Sequence, residues 1–194
     1  MNRQEVLIAS LTEHRAVIDR VIAECLPEIE ACAEIIWNAL RHGNKILLCG
    51  NGGSAADAQH IAAEFVGRYE TERRAFPSIA LTTDTSALTA LANDYGFERV
   101  FARQVEALAV SGDVLIAIST SGNSPNVLAA LVAAKERGCV TIGMTGADGG
   151  SMADLCDVIF AVPSNRTARV QECHIIVGHL WCEYVDIKFQ ETNK

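Results

Sequence analysis

Among the seven cysteines no two form a C-x-x-C pair, and their number is odd, so neither a disulfide framework nor a zinc knuckle is supported and reduced core thiols are expected. No apolar run approaches the length of a membrane helix. The opening MNRQEVLIASLTEHR breaks its apolar positions with charges, unlike the continuous apolar core of a signal peptide. These absences predict a cytoplasmic protein with no membrane partner. Cations are also short: 16 Lys and Arg against 24 Asp and Glu give a net charge of -8. That balance predicts no nucleic-acid partner, because phosphate backbones select clustered Lys and Arg. No low-complexity linker, repeat or composition break divides the chain. Residues 1–194 are therefore expected to form one domain, with 1–43 a helical extension and 44–194 an α/β core.

What is present is an alternation of short apolar runs and amphipathic stretches. Leu7, Leu11, Val17, Ile18, Val21 and Ile22 recur at helical spacing, and Pro27 starts a second helix, so residues 3–42 read as a helical pair. Strands are predicted at 45–49, 78–83, 113–118, 140–144 and 157–162. Helices are predicted at 54–67, 85–92, 97–109, 124–137, near 150–155 and from about 167 to 189. Such alternation means an α/β fold, a five-stranded parallel sheet flanked by helices. The leading pair lies outside that rhythm, and its apolar stripe is expected to bury against other subunits.

The densest information lies in KILLCGNGGSAADAQHIAAE, Lys45 to Glu64. A buried strand runs into a glycine turn, and the helix starting near Ser54 offers its free N–H groups to an anion. His60 and Glu64, four residues apart, share one helical face about one turn beyond that site. Gly50 to Ala55 also satisfies the loose dinucleotide pattern G-x-G-x-x-A, with Asp84 as a late candidate for a ribose. Taken singly, His60 reads equally as a structural histidine and Glu64 as a solvated one. A second loop, Ser119-Thr120-Ser121-Gly122-Asn123-Ser124, follows the apolar run Asp113 to Ile118 and precedes a helix opened by Pro125. Small hydroxyls at a helix N-terminus suit a dianionic phosphate, and open α/β sheets bind ligands at the carboxyl ends of their strands.

GNGGSAADAQH, AISTSGNSPNV and RVQECHIIVGHLW, in that order, resemble the sugar isomerase (SIS) domain family and within it the phosphoheptose isomerases. The resemblance implies an aldose–ketose isomerase that interconverts sedoheptulose 7-phosphate and glycero-manno-heptose 7-phosphate, an early step towards activated heptose for surface glycans. Carried over by residue, it implies substrate contacts at Asn51, Gly52, Gly53, Ser54, Glu64, Asn93, Asp94, Ser119, Thr120, Ser121, Ser124 and Gln171. It implies zinc held by His60, Glu64, Gln171 and His179, with Glu64 as base and His179 as partner acid. A glutamate bound tightly to zinc is a poor base, so that double role is in tension. Gln171 and His179 are about 12 Å apart along one helix, which would strain to put both on one zinc, so one of them is expected from a neighbouring subunit of a homotetramer with shared sites. Arg169 is expected to be solvated or ion-paired, and His14, His42 and His174 structural. An alternative is a non-catalytic scaffold of the same fold that binds the bacterial replication initiator. Tyr69-Glu70-Thr71-Glu72-Arg73 resembles a feature of that branch.

Overall fold

The computed structural model describes residues 2–192. Helix α1 (Arg3–Glu24) opens on a capping box between Asn2 and Glu5, and α2 (Leu26–Arg41) carries Pro27 in its first turn, where a missing N–H costs nothing. Strands β1 (Ile46–Gly50), β2 (Ser78–Ala80), β3 (Val114–Ile118), β4 (Val140–Thr145) and β5 (Val158–Ala161) form one sheet. All neighbours are parallel, in the order β2-β1-β3-β4-β5. Between and after them run α3 (Gly53–Val66), α4 (Thr85–Tyr95), α5 (Ala102–Leu108), α6 (Pro125–Glu136) and α7 (Thr167–Thr192).

Three expected elements are shorter than predicted. The second strand of the prediction, 78–83, ends at Ala80 because the Thr83 hydroxyl donates to the Ala80 carbonyl and turns the chain. A continuous helix over 97–109 is replaced by a 3-10 turn, Phe97–Arg99, and then α5, since Gly96 at φ 84 ends α4 and restarts the chain with i to i+3 bonds. The helix near 150–155 contracts to the 3-10 turn Gly150–Met152.

The strands show why the sheet is covered on both sides. Ile46, Leu48, Val114, Ile116, Ile118, Ile142 and Met144 join one core with α2, α3 and α7, while Leu47, Cys49, Leu115 and Ala117 join a second core with α5 and α6. Every residue of β1 and β3 is buried. Helix α1 stands apart: Val17 and Val21 are buried, but Leu7 is 65% exposed and Leu11 71%. Six of the seven cysteines are buried, and Cys156 is half-buried. Among the described residues, no helix is long and apolar enough to cross a membrane.

Candidate active site

Strand order reverses between β1 and β3: β1 leads through α3 outward to β2, and the later strands add on the other side. In sheets of this order the crevice between the two diverging connections is the ligand position. Gly50 pairs with Ile118, so the loops after β1 and β3 leave the sheet side by side. The first loop turns at Gly52, whose φ of 56 and place as α3's N-cap suit glycine. The amides of Gly53 and Ser54 precede the first helical hydrogen bonds, which Ala55 and Ala56 make to the Gly52 carbonyl at 3.1 and 3.3 Å. In the second loop the Ser119 and Ser124 hydroxyls lie 2.9 Å apart, and Ser121 Oγ is 3.5 Å from Ser119 Oγ. Ser124 caps α6 yet spends its hydroxyl on Ser119 rather than on a helix amide, keeping the oxygens clustered. Asn123 Oδ1 accepts from both the amide and the hydroxyl of Ser151, and the amide of Gly146 donates to Thr120 O, so the turn after β4 braces this loop from below.

The two loops are tied together by a pair the sequence reasoning missed. Asn51 and Asn126 exchange two amide hydrogen bonds of 2.9 Å each. Asn126 is 2% exposed. The Asn51 side chain is thereby engaged with Asn126. The only sequence signal for Asn126 is its place one residue after Pro125.

His60 and Glu64 lie farther along α3 than expected. Because the helix begins at Gly53, they stand about two and three turns from its N-terminus, and Glu64 is about 16 Å along the axis from Gly53. His60 Nε2 is 3.2 Å from Glu64 Oε1 and 3.4 Å from His179 Nε2 on α7. Close approach of the two helices makes this possible: a Cβ on Gly178 would come within 2.5 Å of Ile61 Cδ1. Tyr69 also lies against the His179 ring, ring centroids 5.5 Å apart. Gln171, two turns earlier on α7, packs instead against Gly53, where a Cβ would meet its Nε2 at 2.6 Å. Gln171 thus joins the glycine loop after β1 and His179 joins His60, with the same stagger on both helices.

Asn93 and Asp94 sit on the exposed last turn of α4, hydrogen-bonded to each other at 2.8 Å. Asp84, the candidate ribose ligand of the dinucleotide reading, caps α4 through the Ala87 amide at 2.9 Å and is spent there. Arg169 is buried and ion-paired with Glu172, and it donates to Ser10, so it does not reach the anion loops. His174 is fully buried, His14 pairs with Glu172, and His42 meets the Asn38 carbonyl, all as structural groups.

The donor set His60, Glu64 and His179 matches a first-row metal chemically. Ligands about 2.0–2.1 Å from a tetrahedral zinc stand roughly 3.3–3.4 Å apart, close to the two contacts at His60 Nε2. As they stand, however, no three His, Cys, Asp or Glu side chains among the described residues form a group able to hold a metal. The fit is therefore in residue type and in two of the spacings.

This five-stranded parallel sheet, with two loops side by side at its reversal point, is matched over residues 11–146 by the family model described as the SIS domain. The chain is 58% identical to the phosphoheptose isomerase of Aliarcobacter butzleri, over 94% of this chain and 97% of that one. It is 59% identical to that of Nitratiruptor sp., over 92% and 96%. The solved phosphoheptose isomerase of Neisseria gonorrhoeae superimposes with a TM-score of 0.91 at 47% identity, covering 95% of this chain and 99% of the other. The chain belongs to the phosphoheptose isomerases of the SIS domain family.

Proposed function

We propose that the protein converts D-sedoheptulose 7-phosphate to D-glycero-D-manno-heptose 7-phosphate through an enediol, opening the supply of activated heptose for lipopolysaccharide or other surface glycans. The observation that carries this is the meeting of His60, Glu64 and His179 around one Nε2 atom. Moving a carbonyl between C1 and C2 requires one base that serves both carbons and one acid that serves both oxygens. Glu64 takes a proton from C1 of the open-chain ketose while His179 gives one to O2. The enediol then returns the O1 proton to His179 as Glu64 delivers its proton to C2, which leaves an aldose.

The Ser119, Thr120, Ser121 and Ser124 hydroxyls, with the amides of Gly52, Gly53 and Ser54, hold the phosphate. Asn51, Asn93, Asp94 and Gln171 complete the sugar contacts. Zinc would be held by His60, Glu64 and His179, with a Gln171 supplied by a neighbouring chain because the chain's own Gln171 packs at Gly53, and when bound it would supply polarisation of the reacting oxygens. Since Glu64 is about 16 Å of helix from its own phosphate loop, and C1 to C7 spans six bonds of about 1.5 Å, the two halves of one site come from different chains of a homotetramer. The replication-initiator scaffold loses its supporting feature, because the Tyr69–Arg73 segment is occupied in holding α3 to α7.

The test is the assay with sedoheptulose 7-phosphate, with and without chelator, on the native chain and Glu64→Gln. Turnover by the native chain and a loss of roughly 10²-fold or more in a folded Glu64→Gln are expected. Near-normal turnover in the variant would sink the assignment of the base.

A further inference from the structure

Arg73 is buried, and each of its guanidinium nitrogens is used. Nη2 donates to the Glu64 carbonyl at 2.9 Å, Nη1 to the Phe65 carbonyl at 3.0 Å and the Arg74 carbonyl at 3.1 Å, and Nε to Asp186 Oδ1 at 2.6 Å. The last carbonyls of a helix lack intrahelical donors, so the guanidinium caps the turn of α3 that carries Glu64. Asp186 is 3% exposed and equally committed. Its Oδ2 accepts from the amides of Glu70 at 3.0 Å and Thr71 at 2.8 Å, fixing the loop whose preceding residue, Tyr69, lies on the His179 ring. Asp186 stands on α7, two turns beyond His179. One ion pair therefore joins the helix end bearing the base, the helix bearing the acid, and the ring packed on that acid. A buried pair is costly to desolvate, and well-packed apolar residues often serve stability as well or better. Its value here is geometric.

We propose that Arg73 and Asp186 are positioning residues for the reaction: by capping α3 and anchoring Tyr69 they set the spacing of Glu64 and His179, and neither touches the substrate. The inference rests on the isomerase reading above. Proton transfer tolerates little misplacement of its base, whereas the phosphate grip lies at the opposite end of α3 and does not feel a shift of its last turn. Arg73→Lys keeps the charge but cannot span Asp186 and three carbonyls at once.

The experiment compares native protein, Arg73→Lys and Asp186→Asn in steady-state kinetics at a temperature where circular dichroism shows each folded. A second readout is the isotope effect with deuterium on the carbon that loses its proton. The expected result is a kcat lowered tenfold or more, a KM within about threefold, and a larger isotope effect as proton transfer becomes limiting. An unchanged kcat in a folded variant overturns the proposal, as does a rise in KM with kcat preserved. If Arg73→Lys fails to fold, Asp186→Asn, which keeps the size and the Oδ1 acceptor, decides by the same criteria. Failure of the native protein to turn over would instead refute the isomerase reading, so the two failures are distinct.

Discussion

Each member of the Asn51–Asn126 pair supplies one donor and one acceptor, from the separate nitrogen and oxygen of its amide. Asn126→Ala strips Asn51 of both partners and should cost about 1–2 kcal/mol. It should also raise KM several-fold with little change in kcat, measured in steady-state assays, because it loosens the phosphate loops rather than the acid–base group. His174 carries a different consequence. Burial lowers its pKa from 6.5 to about 4, against a smaller opposing effect of the Thr145 carbonyl. Between those values the unfolded chain binds a proton that the folded chain refuses, so this contribution to stability is complete above pH 6.5 and lost as pH falls to 4. The loss amounts to about 3 kcal/mol. Urea unfolding of His174→Gln should show a flatter pH dependence in that window, and an unchanged slope would count against it. The two loops after β1 and β3 were legible from serine and glycine spacing, whereas Asn126 was not, since its role depends on a partner 75 positions away.

At the scale of elements, α3 and α7 act as two staggered rods in contact along Ile61 and Gly178. Gly178→Val inserts branched bulk at that contact and should destabilise the fold by about 2 kcal/mol. It should also lower kcat more than it raises KM, because it separates His179 from His60. Equal activity alongside reduced thermal stability would show that the helix contact is not coupled to the site. Periodicity was sufficient to locate the five strands and most helices, because strands buried on both faces give continuous apolar runs. It failed where local chemistry outranked pattern, at the Thr83 turn and at Gly96, where apolar content continued but the backbone changed course. The eight-residue gap between Gln171 and His179 was visible in the sequence, but which of them meets His60 and which meets Gly53 required the packing of α3 on α7.

For the molecule as a whole, the exposed apolar face of α1 and the 16 Å between the phosphate loop and Glu64 lead to one expectation, that the halves of a site come from separate chains. Mixed oligomers of Glu64→Gln and Ser124→Ala chains should regain activity that neither parent has, since some sites then draw both intact halves. Glu64→Gln mixed with His179→Ala should not, because those two side chains lie together in one chain. Rescue in the second mixture but not in the first would overturn the arrangement, and a fully active monomer by sedimentation would remove the oligomer. The seven thiols offer a separate view of the same body. Burial pushes Cys32, Cys49 and Cys156 to about 12 and Cys173 to about 11. Thiolate is the reactive form, so a mild alkylating reagent should meet an almost silent protein. Cys156, the half-buried one, should label first, then those under α1 and α2, and Cys49 in the central strand last. The order in which mass is added would serve as a chronicle of how the layers come apart.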